Sequence, residues 1–166
     1  MAETRFHMIV EPCAILQLEC WADSCEAFGA AIAAHLGDKL PAEVGEVVSV
    51  AGLKAVRIAP RRLWLIGDEA VPALSVDSEL GCALPLSEGR VRLHLSGRHL
   101  LDVLSACVAI DWNGPQAAPG RAVQTGFHRV PVLALRTASD ACDLVVPRSF
   151  ERSLTEWISD SAAAHA

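Results

Sequence analysis

Residues 143–157, DLVVPRSFERSLTEW, decide the fold, because a strand, a break and a helix follow one another within them. The apolar run after Asp143 predicts a buried strand, and Pro147 is expected to end it. Ser149 is predicted to cap the helix that follows. Apolar residues recur at helical spacing in that helix and predict a face packed into the core, formed by Phe150, Leu154, Trp157 and Ile158.

The first half of the chain shows a similar succession of elements. Residues 13–21 predict a strand, and Asp23 or Ser24 is predicted to cap a helix that reaches about residue 35 and ends at Gly37. This helix is apolar on nearly every face, so we expect it to lie between other elements. Residues 53–59 and 63–66 predict two neighbouring strands with a tight connection, and residues 69–74 predict a short helix.

The second half repeats that order. Residues 91–95 alternate as a strand, and Ser96 is predicted to cap a helix over residues 97–106. Strands are predicted near residues 126–135 and 142–146, ahead of the final helix. The sequence therefore predicts the α+β class. Two β-α-β-β-α units, at about residues 13–80 and 90–160, would form one compact domain over residues 1–166 with mixed or antiparallel sheet.

Composition narrows the class of protein. With 166 residues, of which 52% are hydrophobic, the chain is long enough to bury one sizeable core. The net charge of −6 and the scattered basic residues argue against a nucleic-acid partner. Because no apolar run suggests a membrane span or an export signal, we expect a cytoplasmic protein with no membrane partner. Its cysteines are then expected to be reduced: Cys13, Cys20, Cys25, Cys82, Cys107 and Cys142.

Motifs that usually mark catalysis are missing from the sequence. It contains no Gly-x-Gly-x-x-Gly after a strand, no Gly-Lys-Ser/Thr phosphate loop and no Gly-x-Ser-x-Gly elbow. The cysteines are not spaced like the ligand pairs of a tetrahedral zinc site. We therefore predict no catalytic, cofactor-binding or metal-binding residue in this chain.

Four polar residues are candidates for interface or anion contacts. Arg61 and Arg62 lie between two predicted strands and Arg148 follows Pro147, and a guanidinium presents a fixed fork of donors to a carboxylate or phosphate. His128 lies in a polar cluster that opens an apolar strand, and the spacing implies no carboxylate or hydroxyl partner for it. Solvent-facing, hydrogen-bonding or subunit-facing roles are the alternatives for all four.

Several segments resemble the gamma subunit of heterotetrameric sarcosine oxidase. Besides residues 143–157, these are residues 59–67 (APRRLWLIG), 89–93 (GRVRL), 95–97 (LSG), 110–111 (ID) and 119–130 (PGRAVQTGFHRV), so the resemblance covers about residues 13–157. It implies a fold like the folate-binding domain of aminomethyltransferases. It also implies an accessory subunit whose partners are the large and medium subunits of the complex.

In that family the chemistry belongs to the partner subunits. They bind FAD, FMN, NAD and tetrahydrofolate, and the complex demethylates sarcosine to glycine. The resemblance therefore implies no cofactor in this chain. Folate-binding relatives carry a Tyr-Thr-Gly-Glu type segment, whereas this chain has no tyrosine.

Three other functions stay open at this point. A stand-alone folate or small-anion binding module could use Arg61, Arg62 or Arg148. Similar small subunits belong to complexes that demethylate other N-methyl amino acids. An independent cysteine or histidine enzyme would need a reactive thiol beside a base.

Overall fold

The structure, a computed structural model, describes residues 5–165. These residues form two structural units. Pro12–Glu88 forms the inserted unit, and Met1–Glu11 together with Gly89–Ala166 forms the outer unit. In chain order the helices and strands are β1 (His7–Glu11), β2 (Ala14–Cys20), α1 (Cys25–Leu36), β3 (Val47–Val50), β4 (Leu53–Ala59), β5 (Arg62–Gly67), β6 (Gly81–Pro85), β7 (Arg90–Ser96), α2 (Leu100–Cys107), β8 (Ala122–Phe127), β9 (Val130–Ala138), β10 (Ala141–Pro147) and α3 (Glu151–Ala163).

The inserted unit is a five-stranded sheet with one helix. Its strands lie in the order β3-β4-β5-β2-β6, and all neighbours are antiparallel. Helix α1 contributes Phe28 and Ile32 to the core, where they join Leu18 and Leu65 of the sheet. Phe28 and Ile32 are four residues apart, one helical turn, so both lie on the same side of the helix.

The outer unit is a second five-stranded antiparallel sheet, with helices α2 and α3. Its strands lie in the order β1-β7-β10-β9-β8. Alternate residues of β7, such as Leu93, are buried because successive side chains of a strand point to opposite faces. In the neighbouring β10, all residues from Cys142 to Val146 are buried. The helices complete the same core with Val103 of α2 and with Leu154 and Ile158 of α3.

The predicted α+β class is confirmed, and the strand pairing is antiparallel. The predicted strand over residues 53–59 is β4, and its neighbour over residues 63–66 lies within β5. Helix α1 ends where predicted, because Gly37 adopts the left-handed region with φ 71° and donates its N–H to Ala33 O at 2.9 Å.

Two helix predictions are wrong. Residues 70–77 form neither helix nor strand, because Pro72 has no N–H to donate and would interrupt a helix over residues 69–74. Ser96 is not a helix cap, because it is the last residue of β7. Gly97 and His99 both have positive φ, of 106° and 62°, and form a turn that delays the start of α2 to Leu100.

The strand predicted near residues 126–135 is two strands joined by a tight hairpin. Phe127 of β8 pairs with Val130 of β9, which leaves only His128 and Arg129 in the turn. His128 has φ 53°, a left-handed conformation that histidine adopts more readily than most residues with a side chain.

Helices α1 and α3 bury fewer side chains than their sequences predict. Arg148–Phe150 forms a short 3-10 turn, so α3 begins at Glu151 and Ser149 does not cap it. Phe150 and Trp157 are 44% and 48% exposed, and the prediction that they lie in the core is wrong. Only Leu154 and Ile158 are buried on this helix. Helix α1 is likewise not enclosed by other elements, because its alanine-rich side is exposed.

Cys20 and Cys25 form a disulfide bond, so the prediction that all six cysteines are reduced is wrong for this pair. The bond joins the last residue of β2 to the first residue of α1. The four remaining cysteines are not disulfide-bonded, with Cys82 exposed and the others buried: Cys13, Cys107 and Cys142.

Candidate functional site

The four residues predicted for interface or anion contacts do not form one group. Arg61 and Arg62 belong to the inserted unit, whereas His128 and Arg148 belong to the outer unit. Arg61 is exposed in the turn between β4 and β5. Arg148 is exposed after β10, where its Nη2 donates to the backbone oxygen of Arg90 at 3.3 Å. Their contacts with a partner or an anion stay predictions.

Arg62 forms an ion pair within the sheet. Glu19 of β2 lies opposite Arg62 of β5, and the Arg62 Nε donates to Glu19 Oε2 at 2.9 Å. This hydrogen bond, helped by the nearby charges of Arg62 and Arg61, holds the pKa of Glu19 below its usual value. The same bond raises the pKa of Arg62. The Arg62 guanidinium is therefore engaged by a carboxylate of its own unit.

Two exposed rings, one in the turn between β8 and β9 and one on α3, lie against each other. We call His128 and Trp157 the aromatic surface. The His128 and Trp157 ring centroids are 3.6 Å apart with their planes at 84°, and the Trp157 ring lies 6.4 Å from that of the buried Phe127. Trp157 is thus held in place by neighbouring rings while about half of it stays exposed.

A cavity of about 750 Å³ lies in the outer unit, and we call it the cationic cavity. Three parts of the described chain form its wall: residues 5–8, the turn before α2 with the first turns of α2, and the end of α3 with His165. Among the described residues, the lining has four basic side chains and no carboxylate: Arg5, Phe6, Met8, Arg98, His99, Val103, Ser159, Ala162, Ala163 and His165.

His99 connects this cavity to a neighbouring carboxylate. Its Nδ1 lies 2.8 Å from Asp102 Oδ2, and its ring is stacked on that of His165 with centroids 6.1 Å apart. This group could not be predicted from local sequence patterns, because Arg5, His99 and His165 come from distant parts of the chain. What marks His99 is its backbone conformation in the structure, because it is one of the few non-glycine residues with a positive φ.

A second histidine and carboxylate pair lies across β7 and β10. His94 and Asp143 are opposite each other in the strand register, and His94 Nδ1 lies 2.7 Å from Asp143 Oδ1. The Asp143 side chain is only 5% exposed, so this bond satisfies a buried carboxylate that would otherwise destabilise the sheet. The pair could not be predicted, because it depends on a strand register that local sequence patterns do not reveal.

Two of the buried thiols are unsuited to act as nucleophiles. Burial raises the pKa of Cys142 to about 12 and also raises the pKa of Cys107, so both thiols are protonated at neutral pH. Over residues 5–165 we find no group of three or more His, Cys, Asp or Glu side chains that could hold a metal ion. Within the same residues, no helix is both long enough and apolar enough to span a membrane.

Comparisons with known proteins agree with this picture of the fold. The family model of the sarcosine oxidase gamma subunit matches residues 21–164. The sarcosine oxidase subunit gamma of Corynebacterium sp. (strain U-96) is 32% identical over 139 residues, which are 80% of this chain and 67% of that protein. The subunit gamma of Arthrobacter sp. is 36% identical over 142 residues, which are 80% of this chain and 68% of that protein.

Two solved structures are similar over nearly the whole chain. A chain of heterotetrameric sarcosine oxidase from Corynebacterium sp. U-96, in complex with pyrrole 2-carboxylate, has a TM-score of 0.85 and 27% identity, and the match covers 99% of this chain and 87% of that one. Aminomethyltransferase T of the glycine cleavage system from Bartonella henselae has a TM-score of 0.58 and 16% identity over 94% of this chain and 46% of its own, which shows a shared fold. On the match over residues 21–164 and the identity to two gamma subunits, this chain belongs to the sarcosine oxidase gamma subunit family.

Proposed function

We propose that this chain is the accessory gamma subunit of a flavin-dependent heterotetrameric sarcosine oxidase, whose complex demethylates sarcosine to glycine. The observation that carries the proposal is the match of 99% of the chain, at a TM-score of 0.85, to a chain of such a complex. Its large and medium partner subunits would bind FAD, FMN, NAD and tetrahydrofolate, and the complex would reside in the cytoplasm. A complex that acts on another N-methyl amino acid is the alternative for the substrate.

The aromatic surface is the part of the outer unit that we assign to assembly. Binding energy at protein interfaces is concentrated in a few residues, among which tryptophan and arginine are enriched. Trp157 has a large exposed ring, and Arg129 lies beside His128 in the exposed hairpin turn. Because the Trp157 ring is already ordered by His128 and Phe127, little side-chain entropy would be lost when a partner covers it.

Co-expression of this chain with the other subunits of the oxidase tests the accessory role and the assignment of the aromatic surface to assembly. The unchanged chain is expected to co-purify in one assembly with sarcosine oxidase activity. A fully active oxidase that never contains this chain would contradict the accessory role.

Trp157→Ala is expected to leave the isolated chain folded with a moderately lower melting temperature, because only about half of the ring is buried, and to weaken assembly by at least about 2 kcal/mol. Trp21→Ala is the matched control, since Trp21 is 46% exposed but lies in the inserted unit. Assembly measured by analytical ultracentrifugation should be lost only for Trp157→Ala. Equal assembly of the two variants would show that the aromatic surface is not the contact.

A further inference from the structure

We propose that Cys20 and Cys25 form a redox-active pair, whose disulfide is reduced by an external dithiol and whose state controls the turn at residues 77–80. The pair belongs to the inserted unit, whereas the aromatic surface proposed for assembly belongs to the outer unit. The redox role therefore goes beyond the proposed accessory function and does not depend on it.

The two cysteines differ in their access to a reductant. Cys20 is 4% exposed at the end of β2, whereas Cys25 is partly exposed as the first residue of α1. A thiolate of the reductant therefore attacks the Cys25 sulfur, which breaks the disulfide and leaves Cys20 to take up a proton. The second thiol of the reductant then displaces Cys25 and closes the reductant's own disulfide. Two electrons and two protons thus pass from the dithiol to the cysteine pair.

The folded unit can accommodate the reduced pair. Cys20 Sγ lies 3.6 Å from the backbone oxygen of Arg61 and Cys25 Sγ lies 3.2 Å from that of Trp21, so each new thiol has an acceptor within reach. As a thiolate, Cys25 would lie at the start of α1, where the helix dipole favours negative charge. The disulfide joins residues with a sequence separation of 5, and so short a loop constrains the unfolded chain less than a long one. We therefore expect the inserted unit to stay folded in both redox states.

Hydrogen bonds join the disulfide-closed turn at residues 20–25 to the turn at residues 77–80. Within the second turn, the Leu80 N–H donates to the backbone oxygen of Asp77 at 2.9 Å. Trp21 of the first turn donates its backbone N–H to Leu80 O at 3.0 Å and its indole Nε1–H to Ser78 O at 2.8 Å. The Ser24 hydroxyl also donates to the backbone oxygen of Leu80.

Reduction is expected to loosen these bonds. The disulfide fixes both ends of the first turn, so its loss gives residues 21–24 more conformational freedom. The second turn follows residues 70–77, which form neither helix nor strand, and it leads directly into the edge strand β6. The entry into β6 therefore depends on the redox state of the pair, whereas β2 and β5 stay paired in both states.

Treatment of the full chain with dithiothreitol in native buffer tests the redox exchange. Alkylation after denaturation should count four thiols before the treatment and six after it, while the circular dichroism of the native protein stays unchanged. Cys82→Ser is the matched control, because Cys82 is exposed but does not belong to the pair, and its thiol count should rise by the same amount. A disulfide that is reduced only in urea, or a reduced chain that loses its circular dichroism, would overturn the proposal.

Hydrogen exchange of the indole N–H groups, measured by NMR, tests the control of the turn. The Trp21 indole should exchange at least about fivefold faster in the reduced chain, the lower end of typical coupling between two sites. Trp64 is the control within the same unit, because its Nε1 donates to Gln17 Oε1 at 2.9 Å in the centre of the sheet. Its exchange should not change.

A double variant, Cys20→Ser with Cys25→Ser, should show the fast exchange of the Trp21 indole without any reductant. Equal exchange of Trp21 in the oxidised and reduced chains would overturn the proposal. An equal acceleration at Trp64 would overturn it as well, because the whole inserted unit would then open on reduction.

Discussion

Cys142 is the residue whose proton affinity folding changes most clearly. Its side chain is fully buried in β10, and burial is the largest cause of a pKa raised to about 12, with a smaller contribution from the charge of Asp143. The Arg136 charge opposes the shift but does not cancel it. A thiol in this environment is a small apolar core residue, and its thiolate is incompatible with the folded sheet.

The raised pKa of Cys142 predicts a loss of stability at alkaline pH. Above the ordinary thiol pKa of 9.0 the unfolded chain loses a proton that the folded chain keeps until about pH 12. The unfolded state then binds fewer protons, so the free energy of unfolding falls with rising pH, by up to about 1.4 kcal/mol per pH unit. Urea unfolding between pH 8 and pH 11 measures this slope.

A variant separates the contribution of Cys142 from that of the other groups. Cys142→Ala should reduce the slope, because it removes the thiol whose pKa folding raises to about 12. Cys107, whose pKa burial also raises, contributes to the slope in the same direction, whereas the chain has no tyrosine to titrate in that range. An identical slope in Cys142→Ala and the unaltered chain would contradict the prediction.

At the scale of elements, the close contact between β6, β2 and α1 depends on one glycine. A Cβ atom on Gly81 would overlap the backbone oxygen of Glu19 and the ring of Phe28. Gly81 begins the edge strand β6, and Phe28 is one of the two residues by which α1 is buried. The absence of a side chain at this position therefore lets the helix and the strand pack together.

Gly81→Ala is expected to destabilise the protein by about 1–3 kcal/mol, because neither the Glu19 backbone nor the buried Phe28 ring can move freely. Gly29→Ala provides the opposite case, since Gly29 lies within α1 and a Cβ there has open space. We expect that variant to be more stable by about 0.5–1 kcal/mol. Chemical denaturation measures both, and a neutral Gly81→Ala would show that the contact can relax.

Element type was predicted best for strands at the centre of a sheet. Residues 53–59 alternate clearly because β4 is bordered by strands on both sides. The strands that the sequence analysis did not identify, β1, β3 and β6, all lie at sheet edges. Edge strands have fewer buried positions, as in β1 and β6, so the period-two pattern is weak there. The prediction that Trp157 is buried is wrong for a related reason, because helical spacing cannot show how wide the buried face of a helix is.

The candidate site was harder to predict than the fold. The chain segments that line the cationic cavity include both the first and the last described residues, Arg5 and His165. His94 and Asp143 are 49 residues apart and meet only through the register of β7 and β10. Local patterns indicate which residues form a strand, whereas contacts between distant strands depend on the topology of the whole sheet.

At the scale of the whole molecule, the cysteines give a direct test of the fold. A thiol reagent should modify one group rapidly in the native protein, because Cys82 is the exposed free cysteine. If the protein is unfolded without a reductant, the number of modified thiols should rise to four. If it is first reduced and then unfolded, the number should rise to six, because Cys20 and Cys25 form a disulfide. Six reactive thiols in the unfolded, unreduced protein would contradict the disulfide.

The pairing of β1 with β7 has a consequence for synthesis of the chain on the ribosome. The Glu11 side chain accepts hydrogen bonds from Arg92, 81 residues further along, and the inserted unit is made in between. At ordinary translation rates the first strand waits about 4–16 s for its partner. The backbone of β1, which carries the apolar Ile9 and Val10, therefore has no partner strand during that time, although it is the first strand to be made.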